Sequence, residues 1–141
     1  MKKIFAIALV AIAALTASAK DLYEAIAIVE SNGNNYAIGD KGKAVGRYQI
    51  WKIYVDDVNR ICKLKRIAKR YTYADRTNPV KSLEMVKIYT DFYAARYERL
   101  TGKKATDEIR ARIHNGGLNG WKKPATLKYW SKVKKEMAKA I

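Results

Sequence analysis

Apolar residues recur at helical spacing along most of the chain. Leu22, Ala25, Ile26 and Val29 share one face of a helix that begins near Asp21, which places Glu30 at its end. Ser31-Asn32-Gly33-Asn34-Asn35 follows, a run of turn formers in which Gly33 or an asparagine takes the left-handed conformation that closes a helix. Ile50, Tyr54, Val58, Ile61 and Cys62 predict a second helix that runs after Ile50 to about Lys65. Residues 66–70 are basic and 71–77 read as a loop, after which Asn78-Pro79 supplies an N-cap and a proline at the first helical position. Val80, Leu83, Val86, Tyr89, Tyr93, Tyr97 and Leu100, with Phe92 alongside, predict a central buried helix ended by Thr101-Gly102. Thr106 or Asp107 caps a shorter helix that carries Ile109 and Ile113 and stops at Asn115-Gly116-Gly117. Lys122-Lys123-Pro124 opens the last helix, with Leu127, Trp130, Val133 and Met137 on one face. No segment predicts a strand of useful length, so the expectation is a single all-α domain.

The first 19 residues stand apart from this pattern. Lys2 and Lys3 precede an apolar run from Ile4 to Leu15, and Ala17-Ser18-Ala19 is a small-x-small cleavage site, the layout of a secretory signal peptide. The run is short of the ~20 residues a spanning helix needs; an uncleaved N-terminal anchor is the alternative. The boundaries are therefore a leader over 1–19 and a working domain over 20–141. Charge sharpens the picture. The whole sequence has a formal charge of +16, and removing the leader takes away only two lysines. Such an excess predicts attraction to an anionic polymer or surface. Nucleic acid is not expected for an exported chain, whereas acidic cell-wall polymers and anionic lipid are available to it. Solvated helix faces account for many of these cations equally well. Cys62 is the only cysteine and lies on an apolar face, so no intramolecular disulfide forms and a buried thiol is expected.

Candidate chemistry gathers around Glu30. The negative end of the helix dipole opposes charge on a carboxylate there, which suits a general acid. Glu30-Ser31-Asn32-Gly33-Asn34, then a Gly-rich stretch ending in Gly46-Arg47-Tyr48-Gln49-Ile50, resembles the catalytic segment of the lysozyme-like superfamily, with lytic transglycosylase domains and invertebrate-type lysozymes as the nearest members. A second segment, Ala111-Arg112-Ile113-His114-Asn115-Gly116-Gly117, followed by Tyr129-Trp130, resembles a motif of the invertebrate-type enzymes. Those enzymes are rich in disulfides, and this chain departs from them there.

The resemblance implies a lysozyme-like fold and cleavage of peptidoglycan between N-acetylmuramic acid and N-acetylglucosamine, with Glu30 as acid. Asp40, before Gly42 and the Gly46 turn, is the second carboxylate of the invertebrate-type pattern, although a turn role is equally open to it. In lytic transglycosylases a single glutamate suffices and the product is a 1,6-anhydro sugar. Asp56 and Asp57 rank below Asp40. By the same resemblance Tyr48, Gln49, His114, Asn115 and Gly116 line the cleft, His114 and Asn115 opposite Glu30, and Tyr129 supports it. Tyr48 as core packing and His114 as a loop-to-helix tie are the structural alternatives. Tyr71 and Tyr73 either stack on sugars or pack the loop. No metal or organic cofactor is implied, and the expected partner of a monomer is the glycan strand. Two other classes remain open: a silent glycan-binding module and a cationic membrane-active protein.

Overall fold

A computed structural model describes residues 19–139. Most of the segment read as a leader, residues 1–18, and the last two residues lie outside that range.

Five α-helices carry the described residues: α1 (Leu22–Ser31), α2 (Lys52–Leu64), α3 (Pro79–Thr101), α4 (Asp107–Gly116) and α5 (Ala125–Met137). Their ends follow local chemistry. The Asp21 side chain accepts from the Glu24 N–H, Asn78 accepts from the Val80 and Lys81 N–H groups ahead of Pro79, and Thr106 accepts from Ile109. Left-handed Asn32 closes α1 and Gly102 closes α3. The second helix begins at Lys52, just after Ile50 as expected, because Gln49 is left-handed and Ile50 pairs with Val45 across a turn.

α4 joins the bundle, packing against both α3 and α5, while α2 packs on α3 and α1 on α5; α3, expected at the centre, packs chiefly against α2 and α4. Ile26, Val55, Val58, Ile61, Met85, Val86, Ile113 and Val133 are almost completely buried between them, each large aliphatic stabilising the fold by about 1.5–3 kcal/mol. Cys62 joins this core as a buried free thiol. Three residues expected on buried faces are exposed. Val80 and Leu100 sit at the two ends of a helix longer than the core it crosses, and Leu127 lies off the α5 face that buries Thr126 and Val133.

Between α1 and α2 the chain makes a feature the pattern does not predict, a two-residue antiparallel hairpin of β1 (Ile38–Gly39) and β2 (Ala44–Val45). A 3-10 turn, Asp40–Gly42, joins the strands. Gly46 is indispensable to its seating: φ is +84°, and a Cβ there would stand 1.9 Å from the Arg76 carbonyl oxygen. Residues 73–77, read as a loop, form a further 3-10 turn. Buried Arg76 ties it to the hairpin by donating to the Lys43 and Ile50 carbonyls. Among the described residues no helix is long and apolar enough to cross a membrane.

Candidate active site

One cleft of about 1070 Å³ runs from the end of α1 along α2 to the loop after α4. Glu30 enters from α1, Asp40 from the hairpin turn, Gln49 from the hairpin base, and His114, Asn115 and Gly116 from α4. Trp51, Tyr54, Asp56, Asp57 and Arg60 supply the α2 wall, and Tyr89 and Tyr93 belong to α3. Sequence reasoning did not single out Trp51, 40% exposed at the cleft, or the tyrosines as site residues. Tyr54, Tyr89 and Tyr93 sit on helical core positions, and pattern alone does not distinguish a core ring from one that also forms a cleft wall.

Burial of Glu30 is substantial, its side chain 18% exposed. Beside it stands His114, not across from it: Nε2 lies 3.5 Å from Glu30 Oε1. The same nitrogen is 3.2 Å from the Tyr48 carbonyl oxygen, and Nδ1 is 3.1 Å from the Tyr54 hydroxyl. A carbonyl oxygen only accepts, so Nε2 carries a proton, while Nδ1 pairs with the Tyr54 hydroxyl. Both ring nitrogens are thereby used, with the Nε2 N–H presented toward Glu30. Tyr54 is fixed in turn by stacking on Tyr89 at 3.8 Å between ring centres. His114 thus ties loop to helix and lines the cleft as well.

Four carboxylates reach the cleft, and their partners separate them. Asp57 accepts from the Tyr93 hydroxyl on one oxygen and from Arg60 Nε on the other, at 2.7 Å. Asp56 accepts from Tyr73 O–H at 2.9 Å. Asp40 is exposed and has no side-chain hydrogen bond or ion pair to any described residue. It and Lys41 are both left-handed, with φ of 46° and 55°, a conformation that costs non-glycine residues energy and must be held by the surroundings. Gln49 does part of the holding. Its Nε2 donates to the Ala37 and Gly46 carbonyls at 3.3 and 2.9 Å, so its amide hydrogens latch the hairpin and only Oε1 is left for a ligand. Ser31 adds a strut, donating to the Arg47 carbonyl at 2.9 Å.

Two residues expected at the cleft lie behind its wall. Tyr48 is 3% exposed and packs in the core, where burial pushes its pKa up to about 12 against the opposing pull of Arg47. Its contribution to the site is its backbone carbonyl. Tyr129 is not in the lining but stands behind Glu30, as a supporting residue. Its hydroxyl is buried without a well-formed hydrogen bond, and burial, then the nearby Glu30 charge, push its pKa well up. The glycine pair also has a packing role. A Cβ on Gly116 would meet Thr126 Cγ2 at 2.6 Å, so its small size lets α5 approach. Arg112, in the same motif, is buried and pins α4 to Thr126 and the Lys123 carbonyl.

This helical fold is that of a lysozyme-like domain, with a glutamate at the cleft where its first helix ends. No family model matches the sequence. A curated lysozyme of Magallana gigas is 37% identical over 89 residues, a match covering 62% of this chain. The chain spans little more than half of that relative, 56% of its length. A chain in the crystal structure of Aeromonas hydrophila PliI in complex with Meretrix lusoria lysozyme superposes with a TM-score of 0.65 at 26% identity, covering 83% of this chain and 88% of that one. Sequence and fold together relate the protein to lysozymes.

Proposed function

We propose that the protein is an exported peptidoglycan muramidase that hydrolyses the bond between N-acetylmuramic acid and N-acetylglucosamine. Residues 1–19 serve as its leader and Glu30 as its general acid. The carrying observation is the division of labour among the carboxylates. Glu30 stands largely buried in the cleft, 3.5 Å from His114 Nε2, at the position the lysozyme resemblance gives to the general acid. Asp40 reaches the same cleft exposed and unpaired, whereas Asp56 and Asp57 are occupied by hydrogen bonds. Glycoside hydrolysis requires one carboxyl to protonate the leaving oxygen and a second, ionised, to activate water or stabilise the oxocarbenium-like centre. A cleft larger than most small-molecule sites suits a polymeric glycan, and Trp51 offers it a flat apolar face. The relationship to lysozymes supports the same substrate.

The second reading is a lytic transglycosylase, in which Glu30 acts alone and Asp40 is a turn residue; the left-handed Asp40-Lys41 turn is compatible with it. Mass spectrometry of sugars released from purified peptidoglycan separates the two. Reducing muramyl ends, with activity lost in Asp40→Asn, are expected. Products ending in 1,6-anhydromuramic acid, with Asp40→Asn active, overturn the hydrolytic assignment.

A further inference from the structure

The end of α2 and the loop that follows form the most basic stretch of the chain. Arg60, Lys63, Lys65, Arg66, Lys69 and Arg70 stand within eleven residues, and no acid occurs between Asp57 and Asp75. Arg60 pairs with Asp57 and Lys69 with Glu84. Lys63, Lys65, Arg66 and Arg70 form no ion pair with a described residue, and every position from 63 to 70 is exposed. Two aliphatic side chains project among these cations, Leu64 at 60% exposure and Ile67 at 37%.

This tip is held rigidly. The Ile67 N–H reaches back to the Cys62 carbonyl at 2.8 Å and the Arg66 N–H to Lys63 at 3.3 Å, a Schellman closure of the helix. Its left-handed position, where sterics favour glycine, is occupied by Arg66 at φ 54°. A cation thereby stands at the apex of the turn. Beyond the loop the Asn59 side chain clamps the backbone of Tyr71 through two hydrogen bonds of 2.8 and 2.9 Å.

We propose that this 63–70 tip is a docking surface for an anionic lipid bilayer, separate from the cleft and independent of its chemistry. Leu64 and Ile67 enter the boundary between headgroups and acyl chains while the surrounding lysines and arginines meet lipid phosphates. A phosphodiester polymer attracts the same cations but gives the two aliphatics no role, which decides for lipid. The cleft and the tip share α2, so docking sets the cleft a fixed distance from the bilayer.

The test measures binding of the exported protein to vesicles of phosphatidylglycerol and phosphatidylethanolamine, relative to phosphatidylcholine vesicles. The ratio cancels any contribution from an apolar N-terminus. Lys63→Gln/Lys65→Gln/Arg66→Gly is expected to lower this ratio by at least about tenfold. The same number of charges removed from α5, as Lys128→Gln/Lys132→Gln/Lys135→Gln, is expected to change it less than about threefold. Leu64→Ser, at a site too exposed to threaten folding, is expected to lower binding to the anionic vesicles about fivefold. Equal losses from the tip and α5 variants overturn the assignment in favour of diffuse charge. Unchanged binding of Leu64→Ser overturns the lipid assignment and leaves polyanion attraction.

Discussion

Replacing Tyr54 with phenylalanine isolates the hydrogen bond between its hydroxyl and His114 Nδ1. Phenylalanine keeps the ring stacked on Tyr89 at 3.8 Å and removes only the hydroxyl that lies 3.1 Å from Nδ1. A neutral hydrogen bond of this kind is worth about 0.5–1.5 kcal/mol net, and an abandoned buried acceptor costs about 1–3 kcal/mol. Escape routes are closed. Moving the proton to Nδ1 leaves the Tyr48 carbonyl without its donor at 3.2 Å and turns a lone pair toward Glu30. Charging the ring gives Nδ1 a hydrogen with no acceptor in place of the lost hydroxyl. The expected destabilisation is about 1–3 kcal/mol, a fall in Tm of about 4–12 °C for a domain of this size. With the N–H beside Glu30 no longer fixed, kcat for glycan cleavage should drop by about tenfold, with KM less affected. Thermal unfolding followed by circular dichroism and initial rates on soluble glycan oligomers measure both. A Tm within about 1 °C of the parent, together with an unchanged kcat, would refute this role of the Tyr54 hydroxyl.

Other consequences are as direct. Trp51→Ala should raise KM several-fold with little change in kcat, read in steady-state kinetics on glycan oligomers, because the residue offers a binding face and no acid or base. Gly46→Ala would force a methyl to within 1.9 Å of the Arg76 carbonyl at a φ of +84°; a loss of about 3 kcal/mol or more is expected in urea unfolding. At alkaline pH the buried tyrosines set the limit. Tyr48 keeps its proton up to about pH 12 in the folded protein, whereas an unfolded tyrosine loses it near pH 10. Its stabilising contribution is complete below about pH 10 and is lost as pH rises toward 12. Urea midpoints taken from pH 8 to 11.5 should therefore fall above pH 10, and fall less in Tyr48→Phe.

Helices were legible because each carries its own signals. Asp21, Asn78-Pro79, Thr106 and Gly102 mark ends by local hydrogen bonding and backbone preference, which need no knowledge of the rest of the chain. Val80, Leu100 and Leu127 show where periodicity stops being informative: the first two lie beyond the core that α3 crosses, and Leu127 lies off the face that α5 buries. The hairpin was not legible. Two-residue strands carry no alternation, and what stabilises this one is a glutamine amide, a glycine without room for a Cβ and an arginine arriving from residue 76. Of the site, Glu30, Asp40, Gln49, His114, Asn115 and Gly116 were marked by their motifs and do share one cleft. The contact between Glu30 and His114 joins residues far apart in sequence and depends on the register of α4 against α1, which no local pattern encodes. For Tyr48 the core-packing alternative is the one the structure shows, and its link to the site, the backbone carbonyl beside His114, is a contact that side-chain identity does not reveal.

The central claim is that Glu30 donates the proton in cleavage of a cell-wall glycan. Purified peptidoglycan sacculi incubated with the exported protein and with Glu30→Gln test it most directly, with released muropeptides and sedimented protein measured in the same tubes. The account predicts soluble muropeptides from the parent, none above background from Glu30→Gln, and equal sedimentation of both with the wall. Equal release by both proteins, or no release by either on walls of more than one chemotype while both still sediment, would contradict it.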